Sequence, residues 1–169
     1  ELSGLAEDLP DKQPPADWEI NPGAIGMPLT RLLMYMVWLI RMPEKEDLIK
    51  RLKLLSAVSD LILQASHLVE ILEELHDVPA STATARLEKI PNLAIYAVYL
   101  STEDSGFRGV LSRYLSSWQH VETNLSGQDL KDYGLPPGPR YSEILTRLRN
   151  AWLDGVVTDE EEEQALFEK

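Results

Sequence analysis

From Leu29 onward apolar residues return every three or four positions, and prolines at 43, 79, 91 and 139 cut that rhythm into short lengths. A period near 3.6 belongs to a helix, whereas a half-buried strand alternates every second residue. Proline lacks the N–H and clashes with the preceding turn, so it sits at a helix start or beyond a helix end. The chain is therefore restricted to short helices, about eight to nine of them, and no hairpin or strand-period signal competes. The expected fold is all-α, an irregular helical array.

The pieces follow from the punctuation. Leu29–Met42 is apolar nearly all round, which predicts a central buried helix ended by Pro43. Glu44–Leu55 follows, with Leu48, Leu52 and Leu55 on one stripe. Ser56 is placed to cap Ala57–His76, whose inward stripe is Val58, Leu61, Ala65, Leu68, Leu72 and Leu75. Pro79 precedes a short helix over Ser81–Ile90. Pro91 opens another through Leu100, where Ile95, Tyr96, Val98 and Tyr99 leave a strand open. Ser105–Glu122 turns Val110, Leu111, Tyr114, Leu115 and Trp118 inward. Thr158-x-x-Glu161 reads as a capping box for an acidic terminal helix, whose Glu160–Glu163 run suits the positive end of the helix dipole. Residues 1–28, broken by Pro10, Pro14, Pro15, Pro22, Gly23, Gly26 and Pro28, read as a linker or extended arm, mobile unless Trp18 and Ile20 pin it. The expected organisation is an arm over 1–28, a helical body over 29–122 and a tail over 123–169.

At 169 residues and 44% hydrophobic content, the chain can bury one core or two small ones. It has no cysteine, which excludes disulfides and thiolate metal sites and fits a reducing cytoplasm. Leu32–Ile40 is too short to cross a bilayer, and Arg31 and Arg41 bracket it. The chain opens on Glu1 rather than Met, and reads as a piece of something larger. The net charge of −12 is unfavourable to nucleic acid as a sum, but its distribution is uneven. Residues 1–20 carry −5, residues 21–107 carry −3 and residues 151–169 carry −6, while residues 108–150 carry +2.

That one net-positive segment holds the most constrained stretch, Leu125–Gly155. A short helix over Gly127–Tyr133 runs into Gly134-Leu135-Pro136-Pro137-Gly138-Pro139, and a second amphipathic helix begins at once. Gly134 suits a left-handed cap, and Pro139 suits the first turn of the following helix. The unpaired amides at that helix start, from Gly138, Arg140, Tyr141 and Ser142, together with the Ser142 hydroxyl, form an anion site on paper. Arg140 would add a charge-assisted hydrogen bond of about 1.5–3 kcal/mol. Lys131 and Arg147 would extend a basic rim able to hold a phosphate backbone without reading bases. A second reading is equally open from the residues alone: a connector whose Gly and Pro only fix the chain path.

The same stretch resembles the C-terminal end of bacterial class II tRNA nucleotidyltransferases, the CCA-adding and poly(A) polymerase family. The shared pattern is Leu125-Ser126-Gly127-Gln128-Asp129-Leu130, Gly134, Pro137-Gly138-Pro139, Glu143-Ile144-Leu145, Leu148, Ala151, Leu153-Asp154-Gly155 and the Glu160–Glu163 run, in order and without gaps. Arg31–Arg41 and Ser81–Leu87 are similar to the family's helical body more loosely. The resemblance implies an RNA-binding, tRNA-positioning role for the PGP turn. It also implies a catalytic head N-terminal to Glu1, where Mg²⁺ and a nucleoside triphosphate would bind.

The chain itself has no carboxylate pair of the D-x-D kind and no Gly-Ser phosphate loop, so it is expected to be catalytically silent alone, with no catalytic residue and no metal site of its own. Glu46-Asp47-Leu48-Ile49-Lys50 echoes the family's EDxxR template motif. Lys in place of Arg loses the planar fork, and a solvated helix start is the better reading. His76-Asp77 is similar to a metal-dependent phosphohydrolase pair, but only His67 and His120 could join it, and a helix C-terminus is the better reading; the PGP turn lacks the G-K-[ST] of a triphosphate loop. Trp38, Trp118 and Trp152 fall on inward stripes, and Trp18 is undecided between packing and base stacking. The rival function is a helical protein-interaction or dimerisation module with no RNA role, using the apolar Leu29–Met42 helix and the acidic surface.

Overall fold

The computed structural model describes residues 14–23 and 25–168, so residues 1–13 of the expected arm lie outside the described residues. The described chain is all-helical, with nine α-helices, three short 3₁₀ turns and no strand. They are α1 (Leu29–Leu39), α2 (Lys45–Leu52), α3 (Ser56–Ile71), α4 (Ala80–Leu87), α5 (Asn92–Ser101), α6 (Ser105–Ser116), α7 (Gly127–Asp132), α8 (Pro139–Leu153) and α9 (Glu160–Phe167). Pro28, Pro79 and Pro91 each stand immediately before a helix, and Pro139 is the first residue of one.

The central helix is α5, not the expected Leu29–Met42. Six consecutive residues of α5, Leu93 to Val98, are buried, and α1, α3 and α6 pack around it. The β-branched and aromatic residues that left a strand open there are the signature of a helix covered on every side. In α1 the burial is one-sided, falling on Leu32, Leu33, Met36 and Leu39, while Met34, Tyr35, Val37 and Trp38 are half-exposed. That helix also stops early. The buried Ser66 hydroxyl of α3 donates to the Ile40 carbonyl at 3.0 Å, and Pro43 bars the helical conformation just before it.

Other boundaries shift for identifiable reasons. The second helix ends at Leu52, because Lys53 is left-handed at φ 48°. Leu52 and Leu55 are consequently exposed, and the buried residue of α2 is Ile49. Ser56 is already helical, so Leu55 stands at the cap position with no side-chain bond. The expected Ser105–Glu122 helix breaks at Ser117, where the Gln119 side-chain amide donates to the Leu115 carbonyl that the next helical turn would need; Trp118–His120 is a 3₁₀ turn. The terminal capping box is displaced by one residue. Asp159 caps the Glu162 amide at 2.8 Å, and Glu162 reaches back to the Thr158 amide at 2.8 Å and its hydroxyl at 2.9 Å.

Trp18 is buried in the main core, edge-on to Tyr96 at 5.8 Å and Tyr99 at 5.1 Å, with the Arg108 guanidinium 4.5 Å from the centre of the Tyr99 ring. The described end of the arm is thus docked, and Trp18 is a packing residue. Leu130, Leu148, Ala151, Leu153 and Val157 are buried outside that main core. Polar contacts fasten this region to the earlier part of the chain. Asp154 accepts from Ser81, Arg149 pairs with Glu88 at 2.6 Å, and Arg149 Nε donates to the Val121 carbonyl at 2.7 Å.

Candidate nucleic-acid interface

The hairpin of α7 and α8 is built by local hydrogen bonds that its sequence specifies. Ser126 and Asp129 form a reciprocal capping box at the start of α7, and the Ser126 hydroxyl and amide hold the Asp129 carboxyl below its usual 3.8. At the other end Gly134 takes φ 83°, its amide bonding Lys131 O at 2.9 Å, and the next amide, Leu135, bonds Leu130 O at 3.1 Å. This pair of bonds closes the helix, and the positive φ explains why glycine stands there. The same device ends α8 at Gly155, where φ is 68° and the Gly155 and Val156 amides bond Trp152 O and Ala151 O at 3.2 and 2.9 Å.

Between the helices, Tyr141 acts as the clasp. Its hydroxyl donates to Leu135 O at 2.7 Å, its amide bonds Gly138 O at 3.0 Å, and its ring lies against Gly127 at the head of α7. Tyr141 therefore has both polar hydrogens engaged within the turn and is not a free phosphate donor. Gly138 has an amide with no acceptor among the described residues. Its φ of 172° is extended, and a Cβ there would meet nothing within 4 Å. No close approach or left-handed geometry demands glycine at that point.

Arg140, Ser142, Lys131 and Arg147 are all exposed, and none makes an ion pair or side-chain hydrogen bond among the described residues. Pro139 occupies the first helical position, and the Arg140 amide has no acceptor among the described residues, so the helix start is open to an anion. Arg140 and Arg147 are seven residues apart, two turns of helix, which puts them on nearly the same face about 10 Å apart along the axis. Glu143 shares that face and weakens its field. Arg149, by contrast, is spent on Glu88 and Val121.

Two residues outside the expected set organise this region. Asp154 accepts the Ser81 amide at 2.8 Å and the Ser81 hydroxyl at 2.7 Å. Glu163, 1% exposed, accepts from the Trp152 indole at 2.8 Å, the Leu125 amide at 3.1 Å, and the Asn124 amide and side chain at 3.1 and 3.0 Å. Burial acts to raise its carboxyl, and these four bonds outweigh it and hold it below the usual 4.5. Its one sequence signal is helical spacing from Leu166 and Phe167, which puts this acid of the run on the apolar side of α9. An open groove of about 570 Å³ beside it is lined by Asp129, Glu160, Glu161 and Glu168, a surface that repels phosphate.

Among the described residues no three His, Asp or Glu side chains are grouped to hold a metal. His76 contacts Asp77 at 3.0 Å, His67 contacts Glu70 at 3.8 Å, and His120 contacts the Asp17 carbonyl at 3.4 Å, each apart from the others. Asp47 pairs with Lys50 at 3.8 Å on the exposed start of α2. Among the described residues no helix is long and apolar enough to cross a membrane.

No family model matches the chain, and no solved structure matches it. Among characterised proteins, the A-adding tRNA nucleotidyltransferase of Geobacter sulfurreducens is 33% identical over 76 residues. The matched stretch covers 45% of this chain and 8% of that protein. A part of this chain is thus similar to a part of a tRNA nucleotidyltransferase.

Proposed function

We propose that this chain is the RNA-positioning, C-terminal part of an RNA 3′-end nucleotidyltransferase of the CCA-adding or poly(A) polymerase type. The observation that carries this reading is the α7–α8 hairpin. Its capped turn presents an open helix start with unpaired Arg140, and Lys131 and Arg147 stand unpaired on the same two helices. The similarity to a tRNA nucleotidyltransferase supports it. In this reading residues 29–122 are a body, residues 123–169 a tail that holds the backbone of tRNA or another structured RNA, and residues 1–28 an arm. A catalytic head preceding Glu1 would bind Mg²⁺ and the nucleoside triphosphate.

Titration of the chain with tRNA at several salt concentrations tests this. Affinity should fall steeply with log[salt] as phosphate contacts release counterions. The chain alone should leave the tRNA 3′ end unextended with labelled ATP or CTP and Mg²⁺. Salt-insensitive self-association without RNA binding would instead favour the protein-interaction module. Of the apolar Leu29–Met42 stretch assigned to that rival, Leu32, Leu33, Met36, Leu39 and Ile40 are inside the fold, and Met34, Tyr35, Val37 and Trp38 are half-exposed.

A further inference from the structure

We infer that Glu163 is the positioning residue of the RNA-contacting hairpin, fixing α7 against α8 without touching RNA itself. This rests on the reading of the hairpin given above. One carboxylate receives donors from both sides of the hairpin. Asn124 and Leu125 belong to the loop that leads directly into Ser126, the cap of α7, and Trp152 belongs to the last turn of α8. Lys131 is carried by the first helix, and Arg140 and Arg147 by the second. Glu163 therefore shares with the Tyr141 clasp the task of setting the relative placement of these cations. A second link runs on the outer side of α9, where Gln164 donates to the Tyr133 hydroxyl at 2.9 Å and Phe167 packs on the Tyr133 ring at 5.0 Å. The acidic helix thus serves as the splint of a basic site.

The charges around Glu163 give the inference a sign. Asp129 from α7 and Glu160, Glu161 and Glu168 from α9 line the same groove. A cation to balance the carboxylate is absent among those lining residues, so four hydrogen bonds alone hold it. Removing a negative charge from a chain of net charge −12 should strengthen its attraction to a polyanion. Loss of positioning should weaken binding. The two effects oppose one another.

The test compares wild type with Glu163→Gln, which keeps the shape but offers an NH₂ where a donor already points. Amide exchange is followed at Asn124 and Leu125, with the buried α5 amides as the control for global folding, and tRNA affinity is measured at two salt concentrations. Exchange at the two loop amides should rise at least tenfold while the α5 amides are unchanged. Affinity should drop about three- to tenfold with the salt slope retained, since no phosphate contact is removed. Unchanged exchange at Asn124 and Leu125, or affinity equal to or above wild type, overturns the inference. Failure of the wild-type chain to bind tRNA at all would instead overturn the RNA reading, and with it the positioning role, while the exchange data would still report whether Glu163 holds the hairpin together.

Discussion

The carboxylate of Asp154, at the end of α8, accepts both the amide and the hydroxyl of Ser81, at 2.8 and 2.7 Å, across 73 positions of sequence. Ser81 is the second residue of α4, and the residue at that helix's own cap position is Pro79, which has no side-chain acceptor. Asp154 thus supplies from the tail the cap that α4 lacks.

Asp154→Ala should destabilise the fold by about 1–2 kcal/mol, the range for a lost helix cap plus an orphaned donor. Asp154→Asn, which keeps one acceptor oxygen, should cost less. Urea denaturation of the three proteins checks both, and equal midpoints for wild type and Asp154→Ala would remove Asp154 from this role.

Trp18 gives a second stability prediction. Its ring is 6% exposed between Tyr96, Tyr99 and the neighbouring helices. Trp18→Ala should cost about 3–5 kcal/mol, in the range for a buried aromatic, and should expose residues 14–23 to limited proteolysis. Trp18→Phe should retain most of the stability. A thermal melt and a protease time course read the two effects separately.

How far the sequence carries can be judged from these residues. The all-α fold, the left-handed Gly134, Pro139 at a helix start and the short helix from Gly127 were legible because each depends on local backbone chemistry. The central position of α5 was not, because composition cannot say which of two apolar helices lies inside; that depends on what packs against it. Whether Trp18 pins the arm was left open, because proline and glycine spacing reports the absence of regular structure and says nothing of docking; its burial against Tyr96 and Tyr99 decides for packing. At the candidate site, Lys131, Arg140, Ser142 and Arg147 stand exposed as their polarity suggested. Tyr141 turned inward, since its hydroxyl reaches a carbonyl six residues back that no motif announces. Glu163 was hidden among like neighbours: its spacing from Leu166 and Phe167 puts it on the apolar side of the helix, but its donors come from distant parts of the chain.

Glu163 also sets a pH dependence. Its carboxyl lies below 4.5 in the folded chain, so its contribution to stability is complete above 4.5 and is lost as pH falls through the folded value. Asp129, held below 3.8 by Ser126, acts in the same direction. The stability gap between wild type and Glu163→Gln should therefore be constant near neutrality and shrink on acidification below 4.5. Urea midpoints measured across that range provide the check. A gap that widens with acid would mean the carboxyl is raised instead of lowered.

The turn itself can be divided between side chain and backbone. Arg140→Ala removes one exposed, unpaired guanidinium and should weaken tRNA binding uniformly across sequences, flattening the slope of log affinity against log[salt] by roughly 1. Gly138→Val should be nearly silent in stability, because the backbone there is extended and a Cβ meets nothing within 4 Å. Its effect on RNA therefore reads proximity alone. A marked loss of affinity in Gly138→Val, with an unchanged melt, would place the phosphate against the turn backbone; retained affinity would place it on the Arg140 side chain. If neither variant alters binding while both fold normally, the hairpin is a connector, and the RNA contact lies elsewhere on the chain.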